Sequence, residues 1–441
     1  MPRFFIENFG CRATEADASA IRAALAANGL APEPEFRHAE VIVLNTCTVT
    51  AAADARAREA VRKMHRANPR AAIIVTGCYA QRAPEELAQL SGVAYVVGNS
   101  HQSQVGGIAA SLAARDFVPL GDLEGDLSLA AGPAKILTGD MLAHNWAAAG
   151  PGTAERDRTR PILKIQDGCN NRCAYCVIPS VRGASRSLAP DAALEAVRRA
   201  INAGAKEIVL SGINLGSYGR DLSPKASLAI LVRRILDETP LERLRFSSIE
   251  PKDVTEDFVS LAAASPRIAP HFHVPLQSGS DRVLRAMHRW YRAAHYAERI
   301  NLIHRQLPDA AIGADVIAGF PGETEDDFQQ TLSLIERLPF SYLHVFSFSA
   351  RPGTEGARLP GVLPREKIRE RARQLRALGH RKAEGFRAGQ AGRLARALTL
   401  ARQGDAWTEA LTGNYLKLRI PGRHPANEWR LVPIAAEPQL A

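Results

Sequence analysis

The chain has 441 residues, 46% of them hydrophobic, which is too long for one ordinary domain and enough to bury two or three cores. No apolar run reaches the length that spans a bilayer, so a membrane-spanning helix is not expected; Met1-Pro2-Arg3-Phe4-Phe5 lacks the apolar core of a signal peptide, and a cytoplasmic location is expected. A formal net charge of +10 suits a polyanionic partner such as nucleic acid, although a solvated basic surface explains it equally well.

The first part of the chain alternates strand and helix. Strands are predicted at Phe4–Asn8, Val41–Asn45, Ala72–Thr76 and Tyr95–Val97, and helices over Ala16–Asn28, Ala51–Arg66 and Pro84–Leu90. Continuous apolar strands between helices imply a parallel sheet covered on both faces. A glycine-rich stretch follows, and residues 117–154 read as a linker with some local order. A second alternating series then begins, with strands expected at Ile162–Gln166, Glu207–Ser211, Leu244–Ser248, His271–Pro275, Ala311–Ile317 and Tyr342–Phe348. Six strand–helix units suit an open, partial barrel. A long polar helix, Arg365–Ala388, leads to short strands at Arg393–Ala401, Trp407–Leu411, Tyr415–Ile420 and Trp429–Ile434, read as a small β-barrel. The fold class is therefore α/β, with domains expected at 1–116, 155–388 and 389–441.

The six cysteines divide into two trios. Cys169, Cys173 and Cys176 follow the predicted strand Ile162–Gln166 and the turn Asp167-Gly168. Three thiolates on one short loop can ligate three irons of a cubane cluster and leave the fourth iron open. A structural zinc would want a fourth ligand, and no nearby Cys or His supplies it. Cys11, Cys47 and Cys78 each follow a predicted strand, in Phe9-Gly10-Cys11, Asn45-Thr46-Cys47 and Thr76-Gly77-Cys78. The ends of parallel strands open on one edge, so these thiols can meet in space as a second metal-binding set; the alternative is three small buried hydrophobes. His271 and His273 read as packing or hydrogen-bonding residues rather than ligands. The basic helix with Arg56, Arg58, Arg62, Lys63 and Arg66 reads more readily as a solvated face than as an RNA contact.

Cys-x3-Cys-x2-Cys after the first strand of a partial barrel resembles the signature of radical S-adenosylmethionine (SAM) enzymes. The two trios in this order resemble the methylthiotransferase family, and the likeness covers nearly the whole chain. It includes Arg182-Gly183, Ser247-Ser248-Ile249-Glu250-Pro251, His273-Val274-Pro275-Leu276-Gln277-Ser278-Gly279-Ser280-Asp281, Gly319-Phe320-Pro321-Gly322-Glu323-Thr324 and Ser349-Ala350-Arg351-Pro352-Gly353-Thr354. Thr412-Gly413-Asn414-Tyr415 resembles part of a TRAM module, a small RNA-binding barrel, with Gly413 where that module usually has an acidic residue; Thr14 likewise replaces a common Asn.

This resemblance implies two 4Fe–4S clusters, one on each trio, with SAM as cosubstrate. It places Tyr175 near the adenine, and Ser211, Gly212 and Asn214 near the SAM amino group. A SAM-derived radical would activate C2 of a modified adenosine 37 in the tRNA anticodon stem-loop. The sulfur, methylated by another SAM, would come from the Cys11/Cys47/Cys78 cluster. An electron donor such as flavodoxin or ferredoxin is implied, and no membrane. Asn45-Thr46-Cys47-Thr48-Val49-Thr50 and Gly77-Cys78-Tyr79-Ala80-Gln81 look most like the branch acting on N6-threonylcarbamoyladenosine. The alternatives are isopentenyladenosine-37, a ribosomal-protein aspartate, or an iron–sulfur RNA-binding or electron-transfer protein.

Overall fold

A computed structural model describes residues 1–114, 134–141 and 159–435. They fall into two compact units, the first comprising Met1–Thr153 with Asp167–Asn171 and Cys176–Arg186, the second the remainder of the chain.

The first unit is built on a parallel sheet of β1 (Arg3–Asn8), β2 (Ala31–Pro32), β3 (Val41–Thr46), β4 (Ala72–Gly77), β5 (Val93–Gly98) and β6 (Lys135–Leu137), in the order β2-β1-β3-β4-β5-β6. Every residue of β3 is buried because it is covered from both sides. Ile42 and Leu44 pack with Ala57, Val61 and Met64 of the helix Ala51–Ala67. Val41 and Val43 face the other way, onto Ile21 and Leu25 of the helix Arg12–Ala27. Each such aliphatic side chain contributes about 1.5–3 kcal/mol through burial. The two-residue β2 has no sequence signal. β6 lies within residues 117–154, the stretch expected as a linker, and pairs with β5 in this sheet; the rest of that stretch lies outside the described residues, apart from those flanking β6.

The second series of strands is β7 (Ile162–Asp167), β8 (Arg186–Ser187), β9 (Glu207–Gly212), β10 (Arg243–Phe246), β11 (His271–His273), β12 (Ala311–Ala318) and β13 (Tyr342–Ser347). They form sheets of order β10-β9-β7-β8 and β11-β12-β13, joined by bridges Leu244↔Ile268 and Ser248↔His273. Six parallel strands thus make the expected open arc. Side chains alternate along each strand. On β12, Ile312, Ala314, Val316 and Ala318 pack beneath the helices, leaving Gly313, Asp315 and Ile317 on the lumen face. β11 stops at His273, since Pro275 offers no N–H to the ladder.

After the helix Arg365–Gln390, β14 (Leu394–Gln403), β15 (Trp407–Thr412), β16 (Lys417–Pro421) and β17 (Trp429–Pro433) form an antiparallel sheet of order β16-β15-β14-β17. This is a curled half-barrel with two edges. The expected strand from Tyr415 begins instead at Lys417, because Tyr415 has φ +67° and turns the chain. Within the second unit this sheet docks under the strands. Arg245, fully buried and paired with Glu207 at 2.8 Å, donates to the Thr412 carbonyl at 3.1 Å. Tyr415 stacks on His271 with ring centroids 4.3 Å apart. No helix among the described residues is long and apolar enough to cross a membrane.

Candidate functional site

The three dispersed cysteines stand at the ends of three adjacent strands. Cys11 caps the N-terminus of the helix after β1, Cys47 follows β3, and Cys78 opens the short helix Cys78–Arg82 after β4. Two glycines let the turns close. A Cβ on Gly10 would lie 2.7 Å from the Cys47 Cβ and 3.3 Å from its Sγ; one on Gly77, at φ +97°, would lie 2.4 Å from the Thr46 carbonyl. Cys47 and Cys78 are buried and Cys11 is exposed. Burial, reinforced by the neighbouring Cys78 and Cys11, pushes the Cys47 thiol up to about 12. Burial also raises Cys78, although Arg182 opposes it. Thiols so placed hold their protons until a metal displaces them. Two buried thiols and one exposed thiol at one sheet edge fit three corners of a cubane.

Arg182 serves this edge. Its Nε donates to Cys78 Sγ at 3.2 Å, and its other nitrogens reach Asp17 at 2.6 Å and Asp167 at 3.0 Å. Asn99 Nδ2 approaches the same sulfur at 3.5 Å. Burial works against the Arg182 charge, but Asp17, Cys78 and Asp167 outweigh it and hold the guanidinium firmly protonated.

The crowded trio lies on the loop after β7. Its first part is anchored by the Cys169 amide on the Gly183 carbonyl at 3.0 Å and by Asn170 Oδ1, which accepts from the Ser185 amide at 2.9 Å. Its middle part is fixed by the Ala174 amide on the Met287 carbonyl and the Gly356 amide on the Ala174 carbonyl. All three cysteines are half-exposed, which leaves their sulfurs accessible to a cluster. Arg289 Nη1 donates to Cys173 Sγ at 3.3 Å while Nη2 pairs with Glu250. Tyr175 packs with Ala174, Val283, Met287 and Phe320.

Ser211, Gly212 and Asn214 stand at the end of β9, and Gln166 Oε1 accepts from the Asn214 amide at 2.8 Å. Ser211 Oγ and Ser247 Oγ are buried with no hydrogen-bond partner among the described residues. Unsatisfied hydroxyls on the lumen face fit a polar ligand such as SAM, which would complete them. On β11–β13, the Asp315 carboxyl sits between His273 and His344 at 3.1 and 3.2 Å. Burial raises its pKa, yet the two imidazoles hold it well below the usual carboxylate range.

Arg289 and the Asp315 group carry no signal as site residues in the sequence, and Arg182 stands out only as part of the Arg182-Gly183 motif. Their partners come from distant segments, so no spacing signals them. The two histidines at i and i+2 on β11 were the one visible trace.

Residues 3–98 match a family described as uncharacterized protein family UPF0004, and residues 163–335 match the Radical SAM superfamily. In fold the chain is similar to the radical S-adenosylmethionine methyltransferase TsrM from Kitasatospora setae, with a TM-score of 0.58 at 15% identity, covering 81% of this chain and 77% of that one. The threonylcarbamoyladenosine tRNA methylthiotransferase MtaB of Aquifex aeolicus (strain VF5) is 35% identical over 416 residues, covering 94% of this chain and 96% of the relative. The tRNA-2-methylthio-N(6)-dimethylallyladenosine synthase of Syntrophobacter fumaroxidans is 37% identical over 388 residues, covering 84% and 79%. The barrel with its cysteine loop is thus a radical SAM domain. The chain belongs to the tRNA methylthiotransferase family, transferases of sulfur-containing groups.

Proposed function

We propose that this enzyme adds a methylthio group to C2 of N6-threonylcarbamoyladenosine at tRNA position 37. The observation that supports the substrate is the Aquifex aeolicus relative bearing that activity in its name and matching over 96% of its own length. In this reading Cys169, Cys173 and Cys176 hold one 4Fe–4S cluster and Cys11, Cys47 and Cys78 the other. Bound SAM and the reduced cluster would supply the radical that removes an unreactive C–H hydrogen, a step beyond any side-chain base.

The chain's own residues do the holding. Arg289 places a cation against the Cys173 sulfur. Arg182 does the same for Cys78. Ser211, Gly212 and Asn214 would receive the SAM amino group, and Tyr175 the adenine. Residues 389–441 would act as an RNA-binding module, where Trp429 stacks under Arg243 and Arg396 at 4.3 and 4.0 Å. The anticodon stem-loop is the tRNA element engaged, a flavodoxin or ferredoxin the electron donor, and the cytoplasm the location.

Nucleoside mass analysis of tRNA from a deletion strain tests the substrate. The methylthio form of threonylcarbamoyladenosine should vanish and return on complementation. Loss of the methylthio dimethylallyl nucleoside in its place would reassign the enzyme to the activity named for the Syntrophobacter fumaroxidans relative.

A further inference from the structure

Among the described residues outside the cysteine trios, one side-chain group has the donor set of a metal centre. His273 on β11, Asp315 on β12 and His344 on β13 each offer one ligand atom, and these atoms all lie within 4.8 Å of one another. They come from three adjacent parallel strands. They share one face, because Phe272, Ala314, Val316, Leu343 and Val345 point the opposite way into the helix-covered core.

Asp315 Oδ1 lies 3.1 Å from His273 Nε2 and 3.2 Å from His344 Nδ1. Donors held roughly 2.0–2.2 Å from one ion are themselves separated by roughly 3–3.5 Å, so two of the three edges already have the required length. His273 is only 7% exposed, and its Nε2 faces the Asp315 carboxylate. Its other ring nitrogen, Nδ1, is engaged by Ser248 Oγ at 2.6 Å. That is how a ligating imidazole is oriented from behind: the hydroxyl fixes the ring and turns Nε2 toward the carboxylate. The Tyr342 ring, parallel to His273 within 7°, supports it from below.

From this geometry we propose that His273, Asp315 and His344 form a divalent-cation site of two imidazoles and one carboxylate, distinct from both cysteine trios. The chemistry selects a borderline or hard divalent ion such as Fe2+, Mn2+ or Co2+, because the donors are nitrogen and oxygen with no thiolate. A carboxylate flanked by two imidazoles is a donor set for a cation rather than for an anion. Three protein ligands leave coordination positions open, and the His344 side chain, 56% exposed, puts those positions on the accessible side. The site does not depend on which tRNA nucleoside is modified.

The test uses the full chain with both cysteine trios loaded with iron and sulfide, so that no thiol is free. Mn2+ is titrated anaerobically, and the free-ion signal is followed by electron paramagnetic resonance. Wild type should remove about one Mn2+ per chain, and His344→Ala should weaken that binding at least about tenfold without changing iron content. His344 is exposed, so its truncation spares the core; Asp315→Asn is the second variant and should also lose the ion. No Mn2+ uptake by wild type, or uptake unchanged in His344→Ala, would overturn the proposal and leave a purely hydrogen-bonded trio.

Discussion

Arg182 Nε donates a hydrogen bond to Cys78 Sγ at 3.2 Å, and Asp17 grips the same guanidinium at 2.6 Å. The cation therefore has two duties. It opposes the upward pull of burial on the Cys78 thiol, and it neutralises Asp17 and Asp167, both buried.

Removing it leaves two carboxylates without their partner. Arg182→Gln should destabilise the apo-protein by about 3–5 kcal/mol, the usual cost of breaking a buried pair from one side. Denaturant unfolding measures this. Adding Asp17→Asn should restore part of the loss, and a double variant no better than the single would refute the pairing argument.

Cys47→Ala removes one of the three dispersed thiols. Anaerobically reconstituted wild type should carry about eight irons and the variant about four. Reductive SAM cleavage should survive in the variant, since Cys169, Cys173 and Cys176 are untouched. Iron content that stays unchanged would exclude a cluster on Cys11, Cys47 and Cys78.

Much of this arrangement was legible from the residues. The β-branched, wholly apolar start of the β3 run Val-Ile-Val-Leu-Asn-Thr reads as a doubly covered strand, and its end places Cys47. The six barrel strands were legible for the same reason. What stayed hidden depends on partners far along the chain: Arg182 lies 104 residues from Cys78, and Arg289 lies 116 from Cys173. A lone Arg carries no periodicity that names its partner. Ala31–Pro32 forms β2 only because β1 is beside it.

Two glycine substitutions should act in opposite directions. Gly77→Ala forces a side chain into φ +97° and 2.4 Å from a backbone carbonyl that cannot yield, which should cost about 3 kcal/mol or more. Gly385→Ala lies inside the helix Arg365–Gln390 with nothing within 4 Å of the new Cβ, and should stabilise by roughly 0.5–1 kcal/mol. Thermal melts of the two variants report the contrast.

Asp327 ties two helix starts together. Its carboxylate accepts from Ser280 Oγ at 2.6 Å, from the Thr324 amide at 2.8 Å and from Arg282. Burial pushes its pKa up, but Arg282, Ser280 and Thr324 hold it well below the usual range. As pH falls, the unfolded chain takes up this proton first, so the contribution is complete above about pH 4 and is lost progressively below it. Asp327→Asn should lower stability at pH 7 by about 1–2 kcal/mol, with the difference from wild type shrinking toward pH 2. A difference independent of pH would exclude the charge as its source.

The placement of Cys11, Cys47 and Cys78 on three neighbouring strands imposes an order of assembly. Cys169, Cys173 and Cys176 lie within eight consecutive positions, so an extended nascent chain can already chelate iron there. The other trio has no chelating geometry until β1, β3 and β4 have paired in register, which requires closing two long loops first. Under the proposed site assignment, cluster delivery to that edge would be a checkpoint on a completed sheet: a misfolded chain could load iron on the Cys169 loop but not on the strand-end trio.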